Sequence, residues 1–173
     1  MLEVVAAAFW LMLPAYLPNP AAVLLGGGTP VDFGRTWRGK RILGDGKTWR
    51  GRFGGTACGV LLAVILNFIA PAIGAPSFSP AAAVCLPLGS LVGDMTESFF
   101  KRRGGIERGA PLPIADQLDF LAGAWLLTAA VDWGWFSAHF TLWVAVAALL
   151  ITPALHLGVN YVGFRLGKKD VPW

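Results

Sequence analysis

Charge is scarce in this chain. Asp and Glu number 10 and Lys and Arg 14 among 173 residues, a charged fraction of 14% against 55% hydrophobic. A soluble domain typically carries about 25% charged residues, so an ordinary water-soluble domain is excluded and an integral membrane protein is expected. Cysteine is nearly lacking. Cys58 and Cys85 both fall inside apolar stretches, which excludes a disulfide framework and fits small packing residues. The N-terminus has no basic stretch ahead of its apolar run and no clear cleavage site, so no cleavable signal peptide is expected. The net charge of +4 does not imply a nucleic-acid partner, because the charges are confined to loops and helix ends.

Long apolar runs are present instead. About 20 apolar residues cross the ~30 Å hydrocarbon core of a bilayer, and candidate spans occupy 2–25, 51–70, 81–100, 115–131 and 138–164. The first contains Pro14, Pro18 and Pro20, which remove backbone donors, so a kink or break is expected within 15–20. In the third, Gly89 and Gly93 have the four-residue spacing that lets helices approach closely. The fourth is short, and Trp133 and Trp135 are expected to extend it as interfacial anchors. The fifth contains Pro153 and is expected to tilt or kink. The expected fold class is therefore an all-α integral membrane protein, a single domain over 1–173 with five transmembrane helices.

The cations orient these spans. Arg35, Arg38, Lys40, Arg41, Lys47, Arg50 and Arg52 lie in or beside the first polar loop. Lys101, Arg102, Arg103 and Arg108 lie in the second, and Arg165, Lys168 and Lys169 in the tail. With five spans, all 14 basic residues fall on one side. The positive-inside rule makes that side cytoplasmic and puts the N-terminus outside.

The two loops then face each other. Around the second, Asp94, Glu97 and Lys101 are spaced to share one helical face, and so are Asp116 and Asp119. Four carboxylates beside Lys and Arg read either as a solvated rim or as a site for a hard cation such as Mg²⁺ with phosphates nearby. The first loop, 34–51, combines Gly34, Gly39, Gly44 and Gly46 with Lys40, Lys47 and Arg50. That reads either as a phosphate cradle or as a polybasic patch on anionic headgroups. A Walker A site is rejected, since Arg41 stands where that motif needs glycine and no strand precedes it. His156 and Asn160, one turn apart in the fifth run, are polar residues at membrane depth but are left outside the expected site.

GDMTESFFKR followed by ADQLD resembles the C-terminal signature of the phosphatidate cytidylyltransferases, and PVDFGRTWRGKRILGDGKTWRG resembles the archaeal branch of that group, the CDP-archaeol synthases. The resemblance covers both loops and the helix ends around them. It implies small enzymes with five transmembrane helices that use CTP, a membrane lipid phosphate and Mg²⁺. It implies metal ligation by Asp94, Asp116 and Asp119, with Glu97 as an additional ligand, and phosphate contact from Lys101. For the nucleotide it implies Lys40, Lys47 and Thr48, with Arg50 and Arg102 as neighbouring cations. The chain departs from the bacterial pattern at Ala110-Pro111-Leu112-Pro113, where a Gly/His-rich element would stand, and this favours the archaeal lipid as acceptor.

The implied chemistry transfers CMP from CTP to a lipid phosphate. A CDP-alcohol phosphotransferase is disfavoured, because Phe120 and Leu121 follow Asp116-x-x-Asp119 where that family needs D-G-x-x-A-R. The alternative from another class is a small transporter or ion-binding protein using the acids as a cation site.

Overall fold

The computed structural model describes residues 1–106, 110, 112 and 114–168. Arg108, Lys169, Pro111 and Pro113, which figure in the sequence reading, lie outside the described residues.

The fold is helical, in the order α1 (Leu2–Tyr16), α2 (Pro18–Leu25), α3 (Trp49–Ile73), α4 (Pro80–Arg103), α5 (Ala115–Val131), α6 (Trp133–His139) and α7 (Leu142–Arg165). The expected break in the first run falls at Leu17, between α1 and α2, where Pro18 and Pro20 both lack a backbone donor. Three stretches among the described residues are long and apolar enough to cross a membrane, namely Leu2–Leu25, Trp49–Ile73 and Leu142–Arg165. α4 and α5 are not among them. The last turns of α4 carry Lys101, Arg102 and Arg103, and α5 has only 17 residues.

α4 is central, packing against α1, α2, α3 and α5. Its contact with α5 is made backbone to backbone. A Cβ at Gly89 would lie 2.5 Å from the Gly123 carbonyl oxygen, and one at Gly93 would meet the carbonyl oxygen of Asp119. The small-residue spacing thus sets the separation of the two acid-bearing helices. Leu11, Met12, Leu86, Leu91 and Leu121 fill the core around this seam.

At the opposite end from the charges, the sequence reading needs correction. Trp133 and Trp135 do not extend α5. Asp132 ends it and caps α6, its Oδ1 accepting from the Trp135 N–H at 3.1 Å and its Oδ2 from the Ser79 hydroxyl at 2.5 Å. The fifth run accordingly becomes helical at Leu142, later than expected, because α6 has consumed residues up to His139.

The first loop is not featureless either. β1 (Thr36–Trp37) and β2 (Lys40–Arg41) pair antiparallel, Thr36 with Arg41 and Trp37 with Lys40. The two turn residues, Arg38 and Gly39, have φ of 52° and 74°. That backbone is the one a two-residue hairpin needs, and glycine supplies half of it without strain.

Candidate active site

The first loop is organised on a buried acid. Asp32 has a side chain only 1% exposed, paired with Arg41 at 2.9 Å. It also accepts from the N–H groups of Gly34, Leu43 and Gly44 at 3.1, 2.9 and 3.0 Å. Burial alone would raise its pKa. Arg41 and the three N–H groups outweigh that and hold the carboxyl well below the usual carboxylate range. Val31 next to it donates its N–H to the Lys47 carbonyl at 2.7 Å, so the position of Lys47 is tied to this hub.

Lys47 is thereby carried to Asp94. Its Nζ donates to both carboxylate oxygens at 2.7 Å, and Arg52 on α3 adds a contact from Nη1 at 2.9 Å. Thr48 follows immediately and is buried, its hydroxyl accepting from the Gly51 N–H at 3.2 Å as the cap of α3. That bond turns the hydroxyl into the helix end, a consequence the sequence reading of Thr48 as a nucleotide contact did not anticipate. Arg50 is exposed on the first turn of α3.

A second ionic group lies across the α4–α5 contact. Lys101 pairs with Glu97 at 2.9 Å and with Asp116 at 2.6 Å, and donates to the Ala110 carbonyl at 3.3 Å. Asp116 also receives the Leu112 N–H at 3.0 Å. Asp119 accepts from the N–H of Phe120 at 2.6 Å. Lys40 reaches the Arg103 carbonyl at 3.4 Å, joining the first loop to the end of α4. Arg102 is half-buried, and its Nε has no hydrogen-bond partner among the described residues.

Three of the four acids expected in one place are therefore paired with two lysines, and Asp119 has no ion pair among the described residues. Among the described residues, no three carboxylates, histidines or cysteines converge closely enough to form a metal cage. The donor chemistry still fits a hard cation. Mg²⁺ commonly takes only one or two carboxylates and completes its shell with phosphate oxygens and water.

Asp94, Asp119 and Lys47 share a cavity of about 590 Å³. Its other walls are apolar, from Phe9 and Leu13 on α1, Val23 on α2 and Leu155 and Val159 on α7. His156 and Asn160, set aside in the sequence reading, line it too, with the His156 ring 5.9 Å from that of Phe120. Tyr16 on the same wall bonds Thr152 at 2.9 Å, tying α1 to α7. Sequence reasoning missed Asp32, Arg52 and the α1–α7 wall. The loop acid and the arginine at the helix start were visible as charges, but nothing in the sequence indicated their partners.

An apolar cavity inside a helical membrane protein, ending on lysine, arginine and two aspartates, has the polarity pattern of an amphiphile with a charged head. The match to known proteins narrows this. The family model described as CDP-archaeol synthase matches residues 1–173. A CDP-archaeol synthase of Natronomonas pharaonis is 51% identical, covering 99% of this chain and 98% of its own length. That of Methanocella arvoryzae is 52% identical, covering 94% of this chain and the whole of its own. A solved structure described as an intramembrane enzyme for archaeal membrane lipids biosynthesis superposes with a TM-score of 0.74 at 40% identity. It covers 88% of this chain and 92% of its own. The chain belongs to the CDP-archaeol synthase family.

Proposed function

We propose that this protein transfers CMP from CTP to a membrane-embedded lipid phosphate, 2,3-bis-O-geranylgeranyl-glycerol 1-phosphate, giving CDP-archaeol and pyrophosphate. The observation that carries the site assignment is the single cavity joining apolar walls on α1, α2 and α7 to Lys47, Asp94 and Asp119. A lipid with two long chains can keep them against those walls while its phosphate reaches the charged end.

No protein nucleophile is needed. A phosphomonoester has a second pKa of roughly 6, so the acceptor is largely dianionic near neutrality. Its oxygen bonds the α-phosphorus of CTP. The bond from that phosphorus to the bridging oxygen breaks, and the electron pair leaves with pyrophosphate. The protein must hold two anions together and neutralise charge on the leaving group. Lys47, Lys40, Arg50 and Arg102 take the nucleotide phosphates, and Lys101 meets phosphate beside Glu97 and Asp116. Thr48 acts through the α3 cap that fixes Lys47. Asp94 and Asp119, with Asp116 and Glu97 beside them, would supply the oxygen donors for Mg²⁺, which when bound would neutralise charge on the substrates. In its ion pairs with Lys47 and Arg52, Asp94 also orients the two cations that face the cavity.

If Lys47 meets CTP, Lys47→Ala should raise the KM for CTP or lower kcat in detergent, where no anionic bilayer remains. Unchanged kinetics would return this loop to a headgroup-binding role. The transporter reading is not favoured, because Asp94, Glu97 and Asp116 are each already paired with a lysine.

We read the chain as five spans, α1 with α2, then α3, α4, α5 and α7, all within one domain. The bonds between the first loop and the end of α4 support both loops lying on one side. The positive-inside rule makes that side cytoplasmic. A cysteine introduced at Gly74 should then label only from outside, and one at Gly105 only from the cytoplasm. Labelling of both from the same side would overturn this topology.

A further inference from the structure

Arg103 does something its two neighbours do not. Its Nη1 donates to the Trp37 carbonyl at 2.5 Å, and its Nη2 to the carbonyls of Lys40 and Arg41 at 3.0 and 2.6 Å. The guanidinium carbon stands 5.3 Å from the Trp37 ring and 5.4 Å from Phe99, whose rings stack with centroids 5.9 Å apart. One side chain at the end of α4 thus holds three backbone oxygens of the β1–β2 hairpin while its flat face rests on an aromatic from each element. These Nη donors and the ring-covered face are committed within the protein, so Arg103 is a poor candidate for a phosphate ligand.

The hairpin in turn governs Lys47. Arg41, whose carbonyl Arg103 holds, carries Asp32, and the residue before Asp32 bonds the Lys47 backbone. A continuous chain of bonds therefore runs from the end of α4 through the hairpin to the lysine that faces Asp94 on the same helix. Both ends of that chain are anchored on α4. Loosening the hairpin would free Lys47 without disturbing the helix bearing the acids.

We propose that Arg103 is a positioning residue for nucleotide binding, fixing the hairpin and through it Lys47 against α4. This rests on the reading that Lys47 meets CTP. Arg103→Lys is the informative change, since it keeps the charge but cannot present a planar fork to several carbonyls. In the full-length protein in detergent, it should raise the KM for CTP about tenfold, the equivalent of one charge-assisted hydrogen bond. The lipid-phosphate KM should be unchanged and kcat largely kept. Amide exchange over 36–42 should accelerate, with α4 and α5 unaffected. Trp37→Leu, which leaves the charge in place, should show the same pattern more weakly, and the double variant should be less than additive. This second variant carries the test if Arg103→Lys does not fold.

An unchanged CTP KM would overturn the inference, even with faster exchange in the hairpin. So would a fall in kcat at constant KM, which would make Arg103 a direct contact of the reacting groups. Lys47→Ala, measured alongside, separates the two levels. If it raises the CTP KM and Arg103→Lys does not, only the positioning role fails. If Lys47→Ala has no effect on nucleotide kinetics, the reading of Lys47 fails and the inference falls with it.

Discussion

Asp94→Asn should reduce turnover by roughly a thousandfold, about 4 kcal/mol at tenfold per ~1.4 kcal/mol. The substitution keeps side-chain size and removes the charge that a hard cation and two protein cations share. Lys47 and Arg52 both pair with this carboxylate, at 2.7 and 2.9 Å, and all three side chains are mostly buried. Neutralising it leaves two cations facing the cavity without their acid, so the fold should lose stability as well. Like-charge repulsion among the acids, considered alone, would predict the opposite. Asp119→Asn removes a cavity-lining acid to which no ion pair is assigned among the described residues. It should therefore impair turnover with a smaller loss of stability. Asp116→Asn should fall between them, since it weakens the hold on Lys101. If the three aspartates serve one reaction centre, double variants will be far less than additive. Near-normal turnover in all three single variants would reduce these acids to a solvated rim.

Gly123→Ala should be among the most damaging single-methyl changes at the described residues. A Cβ there would meet the carbonyl oxygen of Gly89 and stand 2.6 Å from both the Cα and N of Gly93. All of these are backbone atoms of a facing helix, so no side chain can turn aside and α4 and α5 must separate. Overpacking of this kind costs about 1–3 kcal/mol, occasionally more. Asp119 lies one turn before Gly123, and its carbonyl is the atom that Gly93 accommodates. Separation would therefore move Asp119 away from Asp94, and activity should fall further than the folded fraction does. Thermal unfolding in detergent, followed together with turnover per folded molecule, measures both effects. A variant with wild-type stability would show that the seam has slack that the geometry denies.

The helical runs and the small-residue seam were legible because each depends on residues near in sequence. Pro18 and Pro20 fixed the break between α1 and α2 from one segment alone, and Gly89 and Gly93 announced a close contact without naming the partner. The end of α5 at Val131 agreed with the fourth run, but the separate helix α6 after it was missed. Asp132 ends α5 through bonds to Ser79, 53 residues away, and to Trp135. Nothing in a Trp-rich apolar run marks that choice. The acids were legible as residues but their grouping was not. The partners of Asp94 come from 47 and 42 residues earlier, across a loop whose path depends on the buried hub at Asp32. Periodicity places side chains on a face of one helix. It carries no information on which cation another segment will deliver there.

The apolar walls of the cavity have a consequence for how the two substrates are supplied. Val23, Val159 and Val162 line it and are also 49%, 49% and 55% exposed, so its flank faces the surroundings of the helices as well as its own interior. In a bilayer those surroundings are lipid. An acceptor arriving by that flank is drawn from a two-dimensional solution, and its availability is a mole fraction among the other lipids. CTP arrives from water, and its availability is a molar concentration. Adding inert lipid around a fixed amount of acceptor therefore slows loading of one substrate and leaves the other untouched. The composition of the membrane becomes a kinetic variable of the enzyme, independent of the nucleotide pool.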